Sequence, residues 1–160
     1  CGPQKASVTK VGSQTFITAV THKSWQVYDT ESLDIRYIQP IREETVTCIT
    51  SIGDTTIAGY GNGKIAIWHK MIPIISMTKE GHRGSVESLY LLGSTFLLSV
   101  GANGNEVLLW TLPSSLTKPG GNIEGPVRLN IGFELTTAIH IPTYVNKMLI
   151  AGQGGELELW

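Results

Sequence analysis

One unit recurs four times along this chain and constrains the fold more than any other feature. Each copy is a short apolar strand, a turn, and a second strand of alternating polarity that ends in an aromatic residue. The copies are FITAVTHKSWQVYD (16–29), TTIAGYGNGKIAIW (55–68), LLSVGANGNEVLLW (97–110) and MLIAGQGGELELW (148–160). Alternating strands joined by turns that are mostly rich in glycine or asparagine are typical of antiparallel hairpins. The sequence therefore predicts an all-β chain.

The spacing of the closing aromatic residues gives the size of the repeat. Tyr28, Trp68, Trp110 and Trp160 are separated by 40, 42 and 50 residues. A period of about 40–45 residues with four strands per unit is typical of a WD-repeat β-propeller blade. We therefore predict an all-β propeller fragment of about four blades, the last incomplete, from the N-terminal part of a larger propeller protein. The approximate blades are 1–40, 41–80, 81–134 and 135–160.

The long third interval contains the stretch PSSLTKPGGNIEGP, residues 113–126. Its proline, glycine and serine content predicts a loop insertion between the third and fourth strands of one blade. Because it has few apolar anchors, we expect limited proteolysis to cut there first.

The stretch GYGNGKIAIWHK (59–70) admits two interpretations, a phosphate-binding loop or a hairpin turn. A phosphate loop needs a glycine five residues before Gly63-Lys64 and a hydroxyl residue after the lysine, and the chain has Ala58 and Ile65 there. Asn62-Gly63 between two alternating strands is a strong signal for a two-residue hairpin. The sequence therefore favours a turn.

Composition limits the classes of partner. The formal net charge is −1 and charged residues make up 16% of the chain, without a basic run. Such a chain has no bulk attraction for nucleic acid, so any RNA contact would be local. Two cysteines, Cys1 and Cys48, are too few for a disulfide framework. No apolar run reaches the length of a membrane helix.

Gly81-His82 matches the dipeptide that opens a WD repeat, and Trp68 and Trp110 match its closing tryptophan. In a regular repeat, an Asp seven residues before the tryptophan accepts a hydrogen bond from the histidine. This chain has Thr21, Gly61, Asn103 and Gln153 at those places. We expect Asn103 to bind His82 instead. The predicted structural marks of the repeats are thus Tyr28, Trp68, His82, Asn103, Trp110 and Trp160.

No catalytic, cofactor or metal site is predicted. The chain has no zinc-finger spacing, no H-E-x-x-H and no G-x-S-x-G. The innermost strands VTCITSI and VESLYLL offer only Thr, Ser and Glu87 to a propeller channel. Candidate contact residues are Trp25 and Tyr60, each either an exposed aromatic or packed between blades, and Lys23 and Lys64, which could touch phosphates from rim turns.

Several segments together resemble one family. GSQTFITAVTHKSWQVYD, TIAGYGNGKIAIW, GHRGSVESLYLLGSTFLLSV and above all AIHIPTYVNKMLIAGQGGELELW (138–160) are similar to the first propeller of the WD-repeat protein 36/Utp-twenty-one family. A departure from the family pattern is Ile141, which separates His140 from Pro142.

The resemblance implies a non-catalytic scaffold in the small-subunit processome of the nucleolus, which supports rRNA processing and ribosome biogenesis. The implied partners are other WD-repeat proteins of the UTP-B subcomplex and, mainly indirectly, a small nucleolar ribonucleoprotein and precursor rRNA. No membrane, cofactor or small-molecule substrate is implied. Two alternatives stay open: a WD-repeat adaptor in ubiquitin ligation or trafficking, and an enzyme with a site in the propeller channel.

Overall fold

The computed structural model describes residues 5–21, 24–40, 45–69, 72–75, 81–113 and 123–160. These residues form fifteen β-strands and one short 3-10 turn, Ala102–Gly104. The strands are β1 (Ala6–Val11), β2 (Gln14–Val20), β3 (Ser24–Asp29), β4 (Ile35–Pro40), β5 (Val46–Ile52), β6 (Thr55–Tyr60), β7 (Ile65–His69), β8 (Ile72–Ile75), β9 (Val86–Leu92), β10 (Phe96–Gly101), β11 (Val107–Thr111), β12 (Glu124–Leu129), β13 (Leu135–His140), β14 (Met148–Gly152) and β15 (Leu157–Leu159). In this part of the chain, no helix is long and apolar enough to cross a membrane.

The strands pair with their sequence neighbours into four antiparallel sheets. Sheet 1 contains β1–β4, sheet 2 β5–β8, sheet 3 β9–β12 and sheet 4 β13–β15. The arrangement is propeller-like and, over the described residues, does not close into a ring. The all-β prediction is therefore confirmed, whereas the count of about four blades, the last incomplete, stays a prediction.

The core lies between the sheets, because each inner sheet has both faces covered. Three apolar clusters fill the spaces between neighbouring sheets. Phe16, Trp25 and Ile49 belong to the cluster between sheets 1 and 2. Ile57, Leu97 and Trp110 belong to that between sheets 2 and 3. Leu98, Val107 and Ile150 belong to that between sheets 3 and 4. Apolar packing between successive sheets thus holds the array together.

The first strands of the four sheets lie side by side, with contacts between β1 and β5, β5 and β9, and β9 and β13. Where β1 meets β5, buried hydroxyls are paired: Thr9 Oγ1 lies 3.1 Å from Thr18 Oγ1 and 3.3 Å from both Ser51 Oγ and Thr56 Oγ1. A buried hydroxyl without a partner would be costly, so this network fixes how the two sheets meet.

Residues 61–64 connect β6 to β7, which confirms the hairpin interpretation of the glycine-rich stretch. The predicted two-residue turn at Asn62-Gly63 is wrong, because Gly63 has positive φ and Asn62 does not. The Gly63 N–H donates to the Tyr60 carbonyl at 3.1 Å, and the Gly63 carbonyl accepts the N–H of His82 at 3.0 Å. Gly63 has φ +86°, and a Cβ there would overlap the carbonyl oxygen of His82. The turn therefore needs glycine both for its backbone conformation and for the close approach of the segment that precedes β9.

The loop predicted at 113–126 overlaps with a strand. Because β12 begins at Glu124, residues 124–126 belong to a strand and not to a loop. Glu124 pairs with Thr111 of β11, and the register shifts before Val127 pairs with Leu109. Residues 114–122 lie outside the described part, as do Cys1 and the predicted turn at 22–23.

Candidate functional site

A buried hydrogen-bonded chain crosses sheet 3. The Trp110 indole N–H donates to Ser99 Oγ at 2.7 Å, and Ser99 Oγ lies 2.7 Å from His82 Nε2. His82 Nδ1 lies 3.1 Å from Glu106 Oε2. An ionised carboxylate can only accept hydrogen bonds, so the imidazole proton of His82 is on Nδ1. Its Nε2 then accepts a hydrogen bond from the Ser99 hydroxyl. Ser99 and His82 then each donate one hydrogen bond and accept one, while Trp110 only donates and Glu106 only accepts.

Glu106 connects this buried chain to the surface. Its Oε2 accepts the Arg83 backbone N–H at 3.0 Å, and its Oε1 accepts the Arg128 guanidinium at 2.6 Å. Arg128 belongs to β12, while Ser99 and Trp110 belong to β10 and β11. The network therefore joins the segment before β9 to the three outer strands of sheet 3.

The electrostatics favour a neutral His82 beside an ionised Glu106. Burial lowers the pKa of the His82 imidazole below its ordinary value of 6.5, against the opposing attraction of Glu106. Partial burial acts to raise the pKa of the Glu106 carboxyl. The hydrogen bonds from Arg83, Arg128 and His82 outweigh that burial and hold the pKa below its ordinary value of 4.5. A neutral, fully hydrogen-bonded imidazole is suited to holding strands together and has no free nitrogen for proton transfer.

The predicted partner of His82 was Asn103, whose side chain lies outside the described atoms. In the structure both ring nitrogens are taken by Ser99 and Glu106. Glu106 stands four residues before Trp110, whereas the sequence count placed the acceptor seven residues before it. The 3-10 turn at Ala102–Gly104 lies between β10 and Glu106. A count of residues along the sequence does not give the path of the backbone through this turn.

The other predicted repeat marks have different surroundings. Trp68 stacks on Trp25, with ring centroids 5.1 Å apart and planes at 24°. Its indole N–H donates to the Tyr60 hydroxyl at 3.3 Å. Tyr28 donates its hydroxyl to the Gln26 side chain. Trp160 is 39% exposed, and its indole N–H donates to Glu158 at 2.9 Å.

Trp25 and Tyr60 are not exposed contact residues. Trp25 is 2% exposed and Tyr60 is 5% exposed, and both lie in the cluster between sheets 1 and 2. Strand alternation places Trp25 on the same face of β3 as Val27, and this face packs on sheet 2. The expectation of an exposed contact role is thereby corrected. Lys64 lies half-buried after the β6–β7 turn, and Lys23 lies outside the described residues.

A polar cavity of about 530 Å³ lies along the first strands of sheets 2, 3 and 4. Its charged lining residues are Lys5, Glu87 and Glu134, with Thr47 and Gln153 among the neutral ones. The Lys5 ammonium donates to the Val46 carbonyl at 3.2 Å. The described lining contains no His or Cys that could activate a nucleophile. Across the described ranges, no three His, Cys, Asp or Glu side chains are close enough to hold a metal ion.

The outward faces of the two terminal sheets carry exposed apolar side chains. On sheet 4, cross-strand pairing aligns Ile139, Leu149 and Leu159, of which Ile139 is 63% and Leu159 57% exposed. On sheet 1 the corresponding row includes Val8, 56% exposed, and Ile35, 47% exposed. Exposed apolar faces of this kind are typical of surfaces that bind another protein or another sheet.

Two curated proteins are similar to this chain over most of its length. A protein of Schizosaccharomyces pombe named U3 small nucleolar RNA-associated protein 21 homolog is 24% identical over 149 residues, 93% of this chain. Human WD repeat-containing protein 36 is 25% identical over 145 residues, 91% of this chain. These matches confirm the predicted resemblance. The chain spans only 16% and 15% of the two relatives. No protein-family profile matches it.

Solved structures support the fold alone. The crystal structure of the computationally designed Ika4 protein has a TM-score of 0.66 and 15% identity, covering 98% of this chain and 91% of Ika4. The designed Ika8 protein has a TM-score of 0.61 and 13% identity, covering 99% of this chain and 46% of Ika8. The arrangement of sheets in this chain is therefore similar to that in two crystal structures.

Sequence reasoning missed three features of the structure. Ser99 is a polar residue in the apolar run LLSV, and Glu106 is the acidic residue at the start of EVLLW. A polar residue within an apolar run and an acidic residue at the start of a strand can both be read from the sequence. The third feature is the exposed pair Tyr144 and Val145, in a loop outside the repeating strand pattern.

Proposed function

We propose that this chain is a non-catalytic protein-interaction segment of a WD-repeat scaffold that acts in ribosome biogenesis. The observation that carries the proposal is the similarity over 91–93% of the chain to two proteins, one named for its association with U3 small nucleolar RNA. The propeller-like stack of sheets supports a binding role, because such sheets present loops and faces to partners.

The finer proposal is that the protein works in the small-subunit processome of the nucleolus, where it supports processing of small-subunit rRNA. Its proposed partners are other WD-repeat proteins of the UTP-B subcomplex, with indirect contact to the small nucleolar ribonucleoprotein and precursor rRNA. The net charge of −1 supports protein-mediated attachment. A direct RNA clamp would need several phosphate contacts and a basic surface.

The non-catalytic part of the proposal is supported by the chemistry of the cavity beside the first strands. Its described lining has Ser and Thr hydroxyls but no histidine to accept their protons. The buried His82 has both ring nitrogens in the hydrogen-bonded chain with Ser99 and Glu106.

The test is purification of the tagged full-length protein from cells, with and without ribonuclease treatment. We expect small-subunit processome proteins, including other WD-repeat proteins, to stay bound after the RNA is digested. Loss of all protein partners on digestion would show that RNA holds the protein. Recovery of ubiquitin-ligase or trafficking proteins in their place would favour the adaptor alternative.

Depletion of the protein provides a second measurement. We expect precursors of the small-subunit rRNA to accumulate while large-subunit rRNA matures normally. An unchanged ratio of the two mature rRNAs would contradict the proposed role.

A further inference from the structure

The hairpin loop between the first two strands of sheet 4 differs from its equivalents. In sheets 1, 2 and 3 this connection is short, at 12–13, 53–54 and 93–95. Each of these turns begins with a glycine at positive φ: Gly12 at 62°, Gly53 at 57° and Gly93 at 62°. In sheet 4 the connection is 141–147, with the sequence IPTYVNK. Two residues are enough to reverse an antiparallel pair, so the length of this loop serves something other than chain reversal.

The long loop also differs in what it exposes. Val145 is 82% exposed, the highest value among the large hydrophobic side chains of the described residues, and Tyr144 is 50% exposed. The three short turns contain only Gly, Ser, Asp and Thr. Strand pairing ends at His140 and Met148, so the loop projects beyond the sheet. A further sheet stacked on the outward face of sheet 4 would therefore leave the loop tip accessible.

Internal contacts hold the loop in one shape. The Tyr144 N–H donates to the Ile141 carbonyl at 2.9 Å, and the Ile141 N–H donates to the Lys147 carbonyl at 3.1 Å. Pro142 occupies the second position of the first of these turns, where its fixed φ is favourable. The Lys147 ammonium lies 4.5 Å from the centroid of the Tyr144 ring, within cation–π range. A loop that is already ordered loses little conformational entropy on binding.

We propose that the 141–147 loop docks into an apolar cleft on another protein, with Val145 and the exposed part of Tyr144 entering the cleft. Lys147 then faces a carboxylate at the rim, because it is the only charged residue of the loop. The proposal rests on the proposed function in one respect, that this chain binds proteins. RNA fits less well, since a single cation and an aliphatic tip provide neither several phosphate contacts nor a stacking platform.

The first test is site-specific photo-crosslinking in the full-length protein. Val145 is replaced by p-benzoylphenylalanine, and the same probe at Ser94, exposed in the short 93–95 turn, is the matched control. We expect ultraviolet light to link position 145, but not position 94, to one discrete protein that mass spectrometry identifies. Absence of a protein adduct at 145, the same adduct at both positions, or an adduct to RNA alone would overturn the proposal.

The second test uses substitutions in the 141–147 loop, outside the strands of sheet 4. Val145→Thr keeps the shape and replaces one methyl group by a hydroxyl. Tyr144→Ser removes the ring together with its contact to Lys147. Because truncating a central apolar contact commonly weakens binding about 30-fold, we expect Tyr144→Ser to reduce recovery of the crosslinked protein by about that factor. Val145→Thr should reduce it by less, and Ser94→Ala should leave it unchanged. The melting temperature should stay within about 2 °C in all three variants, since the sites are on the surface.

Recovery that stays within twofold in both tip variants would overturn the docking proposal. The two proposals fail separately. A 145-specific adduct with a protein unrelated to ribosome biogenesis would sustain the docking loop and contradict the proposed function. Recovery of processome partners without an adduct specific to position 145 would support the proposed function and contradict the docking loop.

Discussion

Replacing Ser99 by alanine is the sharpest test of the buried chain in sheet 3. Ser99 is fully buried, and its hydroxyl accepts the Trp110 N–H and binds His82 Nε2. Ser99→Ala leaves both of these buried polar atoms without a partner. Each unsatisfied group costs about 1–3 kcal/mol, so the free energy of unfolding should fall by about 2–6 kcal/mol. That is a large fraction of the roughly 5–15 kcal/mol by which domains are stable.

The measurement is urea denaturation at pH 7.5 followed by tryptophan fluorescence. Ser99→Thr is the rescue variant, because it keeps the hydroxyl and should recover most of the loss. Ser94→Ala, at an exposed serine, is the control and should stay within about 0.5 kcal/mol of the unchanged chain. If Ser99→Ala also stayed within that range, the hydroxyl would not be the partner of two buried groups and the reasoning would be refuted.

A double-mutant cycle separates the hydrogen bond from other effects of the alanine. Trp110→Phe removes the indole N–H that donates to Ser99. We expect the two substitutions to be non-additive, with a coupling energy of about 0.5–3 kcal/mol, because they remove the two ends of one interaction. Additive losses would indicate that the serine and the tryptophan stabilise the sheet independently.

Three further predictions concern stability and reactivity. Gly63→Ala should destabilise the chain by about 1 kcal/mol or more beyond Gly12→Ala in urea denaturation. Both glycines have positive φ, but only at Gly63 does a Cβ meet the His82 carbonyl, and equal losses would contradict that contact. Stability should fall as the pH drops below 6.5, because the pKa of His82 is lowered in the folded state and the unfolded chain takes up the proton first. Between pH 7.5 and 5.5, the free energy of unfolding should fall less steeply with pH in His82→Gln than in the unchanged chain. An equal slope in both would show that other groups cause the pH dependence. Cys48 is fully buried and its pKa is raised to about 12, so in a Cys1→Ser variant a thiol reagent should react only after unfolding. Rapid labelling under native conditions would contradict this burial.

The sequence by itself determined the repeating hairpins and most of their turns. Alternating strands define a two-residue period, and the glycine at 63 favours positive φ, so both are local properties that need no tertiary information. The resemblance to two WD-repeat relatives was also readable from sequence, because it depends on residue order alone.

The tertiary structure decided which face of each strand meets a neighbour. Alternation places Trp25 and Val27 on one face of β3 but does not say whether that face is covered, and sheet 2 covers it. The start of β12 inside the predicted loop depended in the same way on a partner strand, β11.

The tertiary structure also decided which groups meet at His82. Its partners come from two other places in the chain, Ser99 on β10 and Glu106 after the 3-10 turn. A fixed count along the sequence failed because hydrogen bonds depend on the path of the turn through space, and that path is set by how the strands pair. The exposure of Tyr144 and Val145 has the same origin, since it is the end of the β13–β14 pairing that leaves them beyond the sheet.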